Sequence, residues 1–132
     1  MMYLTSTNPK EHPMIFVFGS NRQGRHGKGA ALHARTHYGA RYGQASGLQG
    51  NSYAIITKEL RRSHAPVTLA EVAQGVSEFI EFVRSHPDLE FQVTPIGCGL
   101  AGFSPYQIAP LFAPLENDQN VHLPPQFISV FQ

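Results

Sequence analysis

At 132 residues the chain has room for one hydrophobic core and is too short for two ordinary domains. Its 42% hydrophobic and 14% charged content suit a globular chain, and its net charge of +1 with neutral histidines argues against a broad electrostatic surface for duplex DNA or membrane. The single cysteine, Cys98, excludes an intrachain disulfide and a cysteine zinc cage.

Residues 1–13 are polar and hold Pro9 and Pro13. They read as an arm or a short edge strand. The start has no basic region followed by an apolar core, so no signal peptide is expected. No apolar run is long enough to cross a bilayer. A cytoplasmic monomer is the expectation.

Met14 to Phe18 is short and nearly all apolar, as a buried strand is. A glycine-rich loop follows, Ser20 to Gly29, and Ala30-Ala31-Leu32 opens a helical pattern that runs to about Tyr38. Ala31, Ala34 and Tyr38 share one side of that helix, and Gly39 suits its C-terminal cap. Free N–H groups at a helix start after such a loop can hold a phosphate. The glycines fit neither the P-loop nor the dinucleotide pattern, because Gly29 and not Ser or Thr follows Lys28.

Ala40 to Gly50 shows no periodicity, and Gly47 to Asn51 reads as a mobile connection or a lid. Ser52 to Thr57 is a second strand with Lys58 directly at its end. Ligands of α/β sheets gather beyond the carboxyl ends of strands, which suits Lys58 to a site. A solvated lysine opening a polar stretch is the plainer reading.

Thr68 and Glu71 form a capping box. Leu69, Val72, Ala73, Val76, Phe79, Ile80 and Val83 then recur at helical spacing, and Pro87 follows as a stop signal. Phe91 to Ile96 is a third strand that runs into a second glycine-rich loop, Gly97 to Gly102. Ser104, Pro105 and Gln107 start a short helix limited by Pro110 and Pro114. Asn117 to Pro125 reads as loop, and Phe127 to Phe131 as a last strand. The order predicts an α/β fold: a three-layer α/β/α sandwich with a mixed sheet, filling residues 1–132 as one domain. If the strands before the two glycine loops lie side by side, the loops flank one crevice and can hold a diphosphate between them.

Three blocks of residues resemble the macrodomain family, the ADP-ribose-binding fold, in the branch of the terminal ADP-ribose protein glycohydrolase and the DNA ADP-ribosyl glycohydrolase antitoxins. His26-Gly-Lys-Gly-Ala-Ala-Leu32 is similar to that branch's first loop. Tyr53-Ala-Ile-Ile-Thr-Lys58, continued by Ser63-His64, is similar to its strand ending in Thr-Lys. Pro95-Ile-Gly-Cys-Gly-Leu100 is similar to its second loop. The likeness runs from about Met14 to Phe131. It implies an α/β/α macrodomain sandwich whose ligand is ADP-ribose or an ADP-ribosylated DNA or protein, with no cofactor and no metal.

The resemblance implies ligand contacts at Gly19, Ser20, Asn21, His26, Gly27, Lys28, Gly29 and Ala30 in the first loop. In the second it implies Ile96, Gly97, Cys98, Gly99, Leu100 and Ala101. It assigns Lys58 the removal of ADP-ribose from its target. In the protein-directed enzymes the lysine attacks the anomeric carbon, and an aspartate after Gly-Cys-Gly-Leu completes the reaction. Here that position is Ala101. The DNA-directed branch relies mainly on the lysine. The family's adenine is commonly held by an aspartate near the first strand, and this chain has no Asp before Asp88.

Cleavage at an anomeric carbon passes through an oxocarbenium-like state and needs a nucleophile or base beside that carbon and a proton for the leaving group. Lys28, Arg25 and a charged His26 are candidates for a cation beside the lysine, and His26 or His64 for the proton. Two other readings stand beside the hydrolase: a module that captures ADP-ribose or a related nucleotide without chemistry, and a nucleotide phosphatase. His33 and His37 share a helix face, as metal ligands can, with no third ligand evident. Cys98 is either a nucleophile with a nearby His or a pocket wall, and the resemblance favours the wall. Arg61, Arg62 and His64 form a basic run that is either a solvated turn or a contact for an acidic target.

Overall fold

The computed structural model describes residues 14–132; the polar arm expected for residues 1–13 lies outside them. The elements in chain order are β1 (Met14–Asn21), α1 (Gly29–His37), β2 (Gly47–Gln49), β3 (Ser52–Lys58), α2 (Leu69–Ser85), β4 (Glu90–Val93), α3 (Pro105–Ile108), a 3-10 helix (Ala109–Leu115), β5 (Val121–His122) and α4 (Pro125–Phe131). The five strands form one mixed sheet in the order β2-β3-β1-β4-β5. β1 runs parallel to both β3 and β4, β4 parallel to β5, and only the β2–β3 pair is antiparallel.

β1 is the central strand and is covered on both faces, which is why it reads as a continuous apolar run. Its side chains alternate. Ile15 and Val17 join the larger core with Val72, Val76, Phe79 and Val83 of α2 and with Phe112 and Phe127. Phe16 and Phe18 face the other way, against Ala31 and Ala34 of α1. Helices therefore lie on both faces of the sheet. The α1 face depends on alanines, whose small side chains let the helix approach the two phenylalanine rings closely. The α2 face is thick and aromatic: Phe79 packs against Tyr53, Phe91 and Phe112 at ring-centre distances of 5.0, 5.5 and 6.2 Å.

Two helix ends follow from local chemistry. The Thr68 hydroxyl accepts the Glu71 N–H at 3.2 Å, and the Glu71 carboxylate accepts the Thr68 N–H at 3.1 Å, completing the capping box. At the end of α1, Gly39 takes φ +77°. That left-handed turn lets the Ala40 N–H reach back to Ala34 O at 3.2 Å.

Four expectations are corrected. Gly47–Gln49, read as a lid, is the edge strand β2, paired with Ser52–Ala54. Gln49 is buried and anchors the preceding turn, its Oε1 accepting the Arg41 N–H at 2.7 Å. The third strand stops at Val93 rather than Ile96, since Pro95 brings no N–H to a ladder. Within Asn117–Pro125, read wholly as loop, Val121–His122 pairs with β4 as β5. Phe127–Phe131, read as a strand, belongs to helix α4. Pro124 and Pro125 fix the helical start there, and a five-residue apolar run carries no period long enough to tell strand from helix.

Candidate functional site

Because β3, β1 and β4 are adjacent and parallel, their carboxyl ends open on one edge of the sheet. That edge carries the first glycine loop after β1, Lys58 at the end of β3, and the second glycine loop after β4. The three ends meet closely at Gly19. A Cβ built there would lie 3.1 Å from Thr57 Oγ1, 3.5 Å from the Gly97 N and 3.6 Å from Ile96 Cβ. A side chain at this position would crowd the Thr57 hydroxyl, while Gly97 and Ile96 stand at ordinary contact distance.

The β1–β3 ladder slips at this point. Ser20 pairs with Ile56, but Asn21 pairs with Lys58, so Thr57 is an extra residue on β3. Its hydroxyl donates to Ser20 O at 3.2 Å, and the ladder resumes with the Arg22 N–H donating to Lys58 O at 3.0 Å. Such a bulge bends the strand immediately before Lys58. Lys58 is half-buried and forms no ion pair among the described residues.

The first loop is held from within. The Asn21 side chain accepts the Arg25 N–H at 2.8 Å and donates to Arg25 O at 2.9 Å. Ser20 is buried, and so is His26, whose Nε2 lies 3.3 Å from Ser20 Oγ and whose ring meets Phe18 edge-on at 5.1 Å. Burial, then the charge of Arg35, pushes the His26 pKa below its ordinary value. The imidazole is thus favoured neutral, which corrects the expectation of a charged His26 supplying a cation. Gly27, Lys28, Gly29 and Ala30 are exposed. α1 starts at Lys28 without a side-chain cap or an acidic residue in its first turn. Its first N–H groups are therefore open donors.

The second loop turns on Gly97, which is buried at φ +74° and sits against Phe103 and Ile108. Its carbonyl accepts the Phe103 N–H at 2.8 Å. Ile96 is buried, Gly99 exposed, Leu100 74% exposed and Ala101 partly covered. The Cys98 N–H donates to Pro95 O at 3.2 Å, and its thiol lies 3.4 Å from Ile96 O with its pKa raised by burial. A raised thiol pKa opposes the thiolate that nucleophilic attack requires.

A charged network that the sequence reading did not anticipate braces this edge. The Glu59 carboxylate accepts Arg22 Nη1 at 2.9 Å, Gln23 Nε2 at 2.7 Å and the Arg61 N–H at 2.8 Å. Arg22 also donates to Ala65 O and to both oxygens of Glu71. The Arg61 hydrogen bonds, with those of Arg22 and Gln23, hold Glu59 well below the usual carboxylate range. Arg61 is thereby tied into the fold, while Arg62 and His64 are exposed. Partners 37 and 49 residues apart leave no local pattern by which sequence could have found them.

His33 and His37 lie 4.7 Å apart between ring centres. Among the described residues no group of three or more His, Cys, Asp or Glu is placed to hold a metal ion, and no helix is long and apolar enough to cross a membrane. Two cavities are present among the described residues, and the smaller is bordered by Arg22 of the first glycine loop. One of about 380 Å³ is bordered by Val121, Leu123, Ile128 and Phe131. The other, about 220 Å³, lies between α2 and β3. In comparisons with known proteins, the chain matches no family model and no curated protein.

Proposed function

We propose that this chain is a macrodomain-type domain that binds ADP-ribose on its two glycine loops and uses Lys58 to release ADP-ribose from a nucleobase or an acidic side chain. The observation that carries the reading is the convergence at Gly19: both glycine loops and Lys58 stand on one edge of the sheet. The open N–H groups at the start of α1 suit a diphosphate. Lys58 Nζ, as the neutral amine, would attack the anomeric carbon as the bond to the target breaks and the leaving group departs, a nucleobase taking a proton from solvent; water then displaces Lys58 from that carbon and frees ADP-ribose.

The second reading, a binding module without chemistry, is favoured by Ala101 where the family has its aspartate. No carboxylate of the second loop can replace it, because residues 95–107 contain no Asp or Glu. Calorimetric titration of ADP-ribose, with AMP as control, comes first. Saturable binding tighter than AMP supports both readings; no binding overturns both. Lys58→Ala then separates them. The hydrolase reading expects turnover of ADP-ribosylated DNA or protein to vanish while ADP-ribose binding persists. Turnover unchanged by the substitution would remove Lys58 from the mechanism, and no turnover by the wild type leaves the binding module.

A further inference from the structure

The net charge of +1 hides a strong segregation. Residues 12–58 contain no Asp or Glu, yet carry Arg22, Arg25, Lys28, Arg35, Arg41 and Lys58. From residue 71 onward there are seven acids against the single cation Arg84. α1 and its flanking turns lie within the acid-free stretch, and α1 covers one face of the sheet. α1 and its flanking turns therefore carry one sign, and Glu90 of β4, which strand alternation puts on the same face of the sheet, lies 3.1 Å from His122 Nε2.

The cations there are also free. Among the described residues Arg25, Lys28, Arg35 and Arg41 form no ion pair, whereas Arg22, Arg61 and Arg84 each do. Lys28, Leu32 and Arg35 fall on one side of α1 by helical spacing. The Arg35 guanidinium carbon lies 5.6 Å above the ring of Tyr42, which is 60% exposed. The Gly43 N–H donates to Gly24 O at 2.8 Å, which sets the Arg41–Tyr42 turn against the first glycine loop, beside Arg25. A largely exposed aromatic ring, with Arg35 over one face, thus sits among cations that form no ion pair among the described residues.

We propose that the α1 face, formed by Arg25, Lys28, Arg35, Arg41 and Tyr42, docks a single-stranded nucleic acid. The cations match a repeating backbone phosphate, and Tyr42 offers a flat ring on which one base stacks. A duplex hides its base faces and cannot use Tyr42. An acidic peptide brings no planar partner for the ring. A lipid surface needs an apolar face to bury, and on this side of α1 the exposed large aliphatic residue is Leu32 alone. The proposal does not depend on ADP-ribose binding, because it concerns an unmodified strand.

The test is fluorescence anisotropy of the full chain with a labelled mixed-sequence single-stranded DNA of about 16 nucleotides, the length that single-strand sites reach. The RNA of the same sequence, the blunt duplex, poly-aspartate and phosphatidylserine vesicles are the other arms. Single strands should bind saturably, DNA against RNA telling the source of the strand. Four phosphate contacts predict that log K falls against log salt with a slope of about −3. Arg35→Ala with Arg41→Ala should flatten that slope by about 1.4. Tyr42→Ala should weaken binding by about 5- to 100-fold, and Tyr42→Phe should retain it. Equal affinity for duplex, vesicles or poly-aspartate would overturn the proposal. So would absence of binding, or a Tyr42→Ala variant that binds like wild type. Calorimetry of ADP-ribose on Tyr42→Ala reports the other reading separately.

Discussion

At the scale of single residues, the first glycine loop rests on a buried histidine. One nitrogen of His26 lies near Ser20 Oγ, while Nδ1 is buried and has no partner among the described residues. Such a ring is tolerated neutral and resists a proton. The unfolded chain takes up that proton at the ordinary value of 6.5 and the folded protein only at lower pH. Below 6.5 the unfolded state therefore binds more protons, so stability rises with pH through this window and is flat above it. Thermal midpoints measured from pH 5 to 8 should show that rise, and His26→Gln should flatten it. An unchanged slope in the variant would remove His26 as its source. Lys58 belongs to the same scale, since its pairing with Asn21 depends on one extra residue, Thr57, in β3.

At the scale of elements, α1 and α2 are stabilised differently. α2 has 17 residues, a complete capping box and four buried side chains on one face. Thr68→Ala should cost about 1 kcal/mol in chemical denaturation, with no change in ADP-ribose affinity. α1 has nine residues, an uncapped start and only two buried alanines, so it depends on docking to Phe16 and Phe18. This difference fits the proposed site: the end left uncapped is the one that follows the first glycine loop. The Arg22–Glu59–Glu71 network links β1, β3 and α2 at their ends. Both carboxylates titrate below their ordinary 4.5 in the folded protein. Their stabilisation is complete above that value and is lost as pH falls beneath it. Glu59→Gln should blunt the acid-unfolding transition; a transition of unaltered steepness and midpoint would count against the network as an anchor.

At the scale of the whole molecule, one sheet separates a thick aromatic core from a thin alanine layer. Phe79 stands at the centre of the former, fully buried among Tyr53, Phe91 and Phe112. Phe79→Ala should cost about 3–5 kcal/mol, measured by denaturant unfolding. A loss below about 1 kcal/mol would mean that the core collapses around the gap. Charge is also segregated along the chain, with an acid-free stretch around α1 and the acids concentrated after residue 70. Net charge alone argued against an electrostatic surface, but an average over the molecule carries no information about where the charges stand.

What the sequence determined by itself was local. The apolar run of β1, the glycine loops, the Thr68–Glu71 box and the 3.6-residue period of α2 each lie within a few residues, and each is found where its chemistry predicts. Short segments escaped that reasoning: Gly47–Gln49 and Val121–His122 became strands through their neighbours, and Phe127–Phe131 became helix through the prolines before it. The tertiary structure alone decided the rest. It placed β1 between β3 and β4, so that two loops separated by some seventy residues of chain share an edge. It inserted Thr57, locked Glu59 between Arg22 and Arg61, and buried His26. The physical reason is common to all of these. Periodicity, caps and turns are set by interactions along the chain, whereas register, ion pairing and burial depend on which distant segments the core brings together.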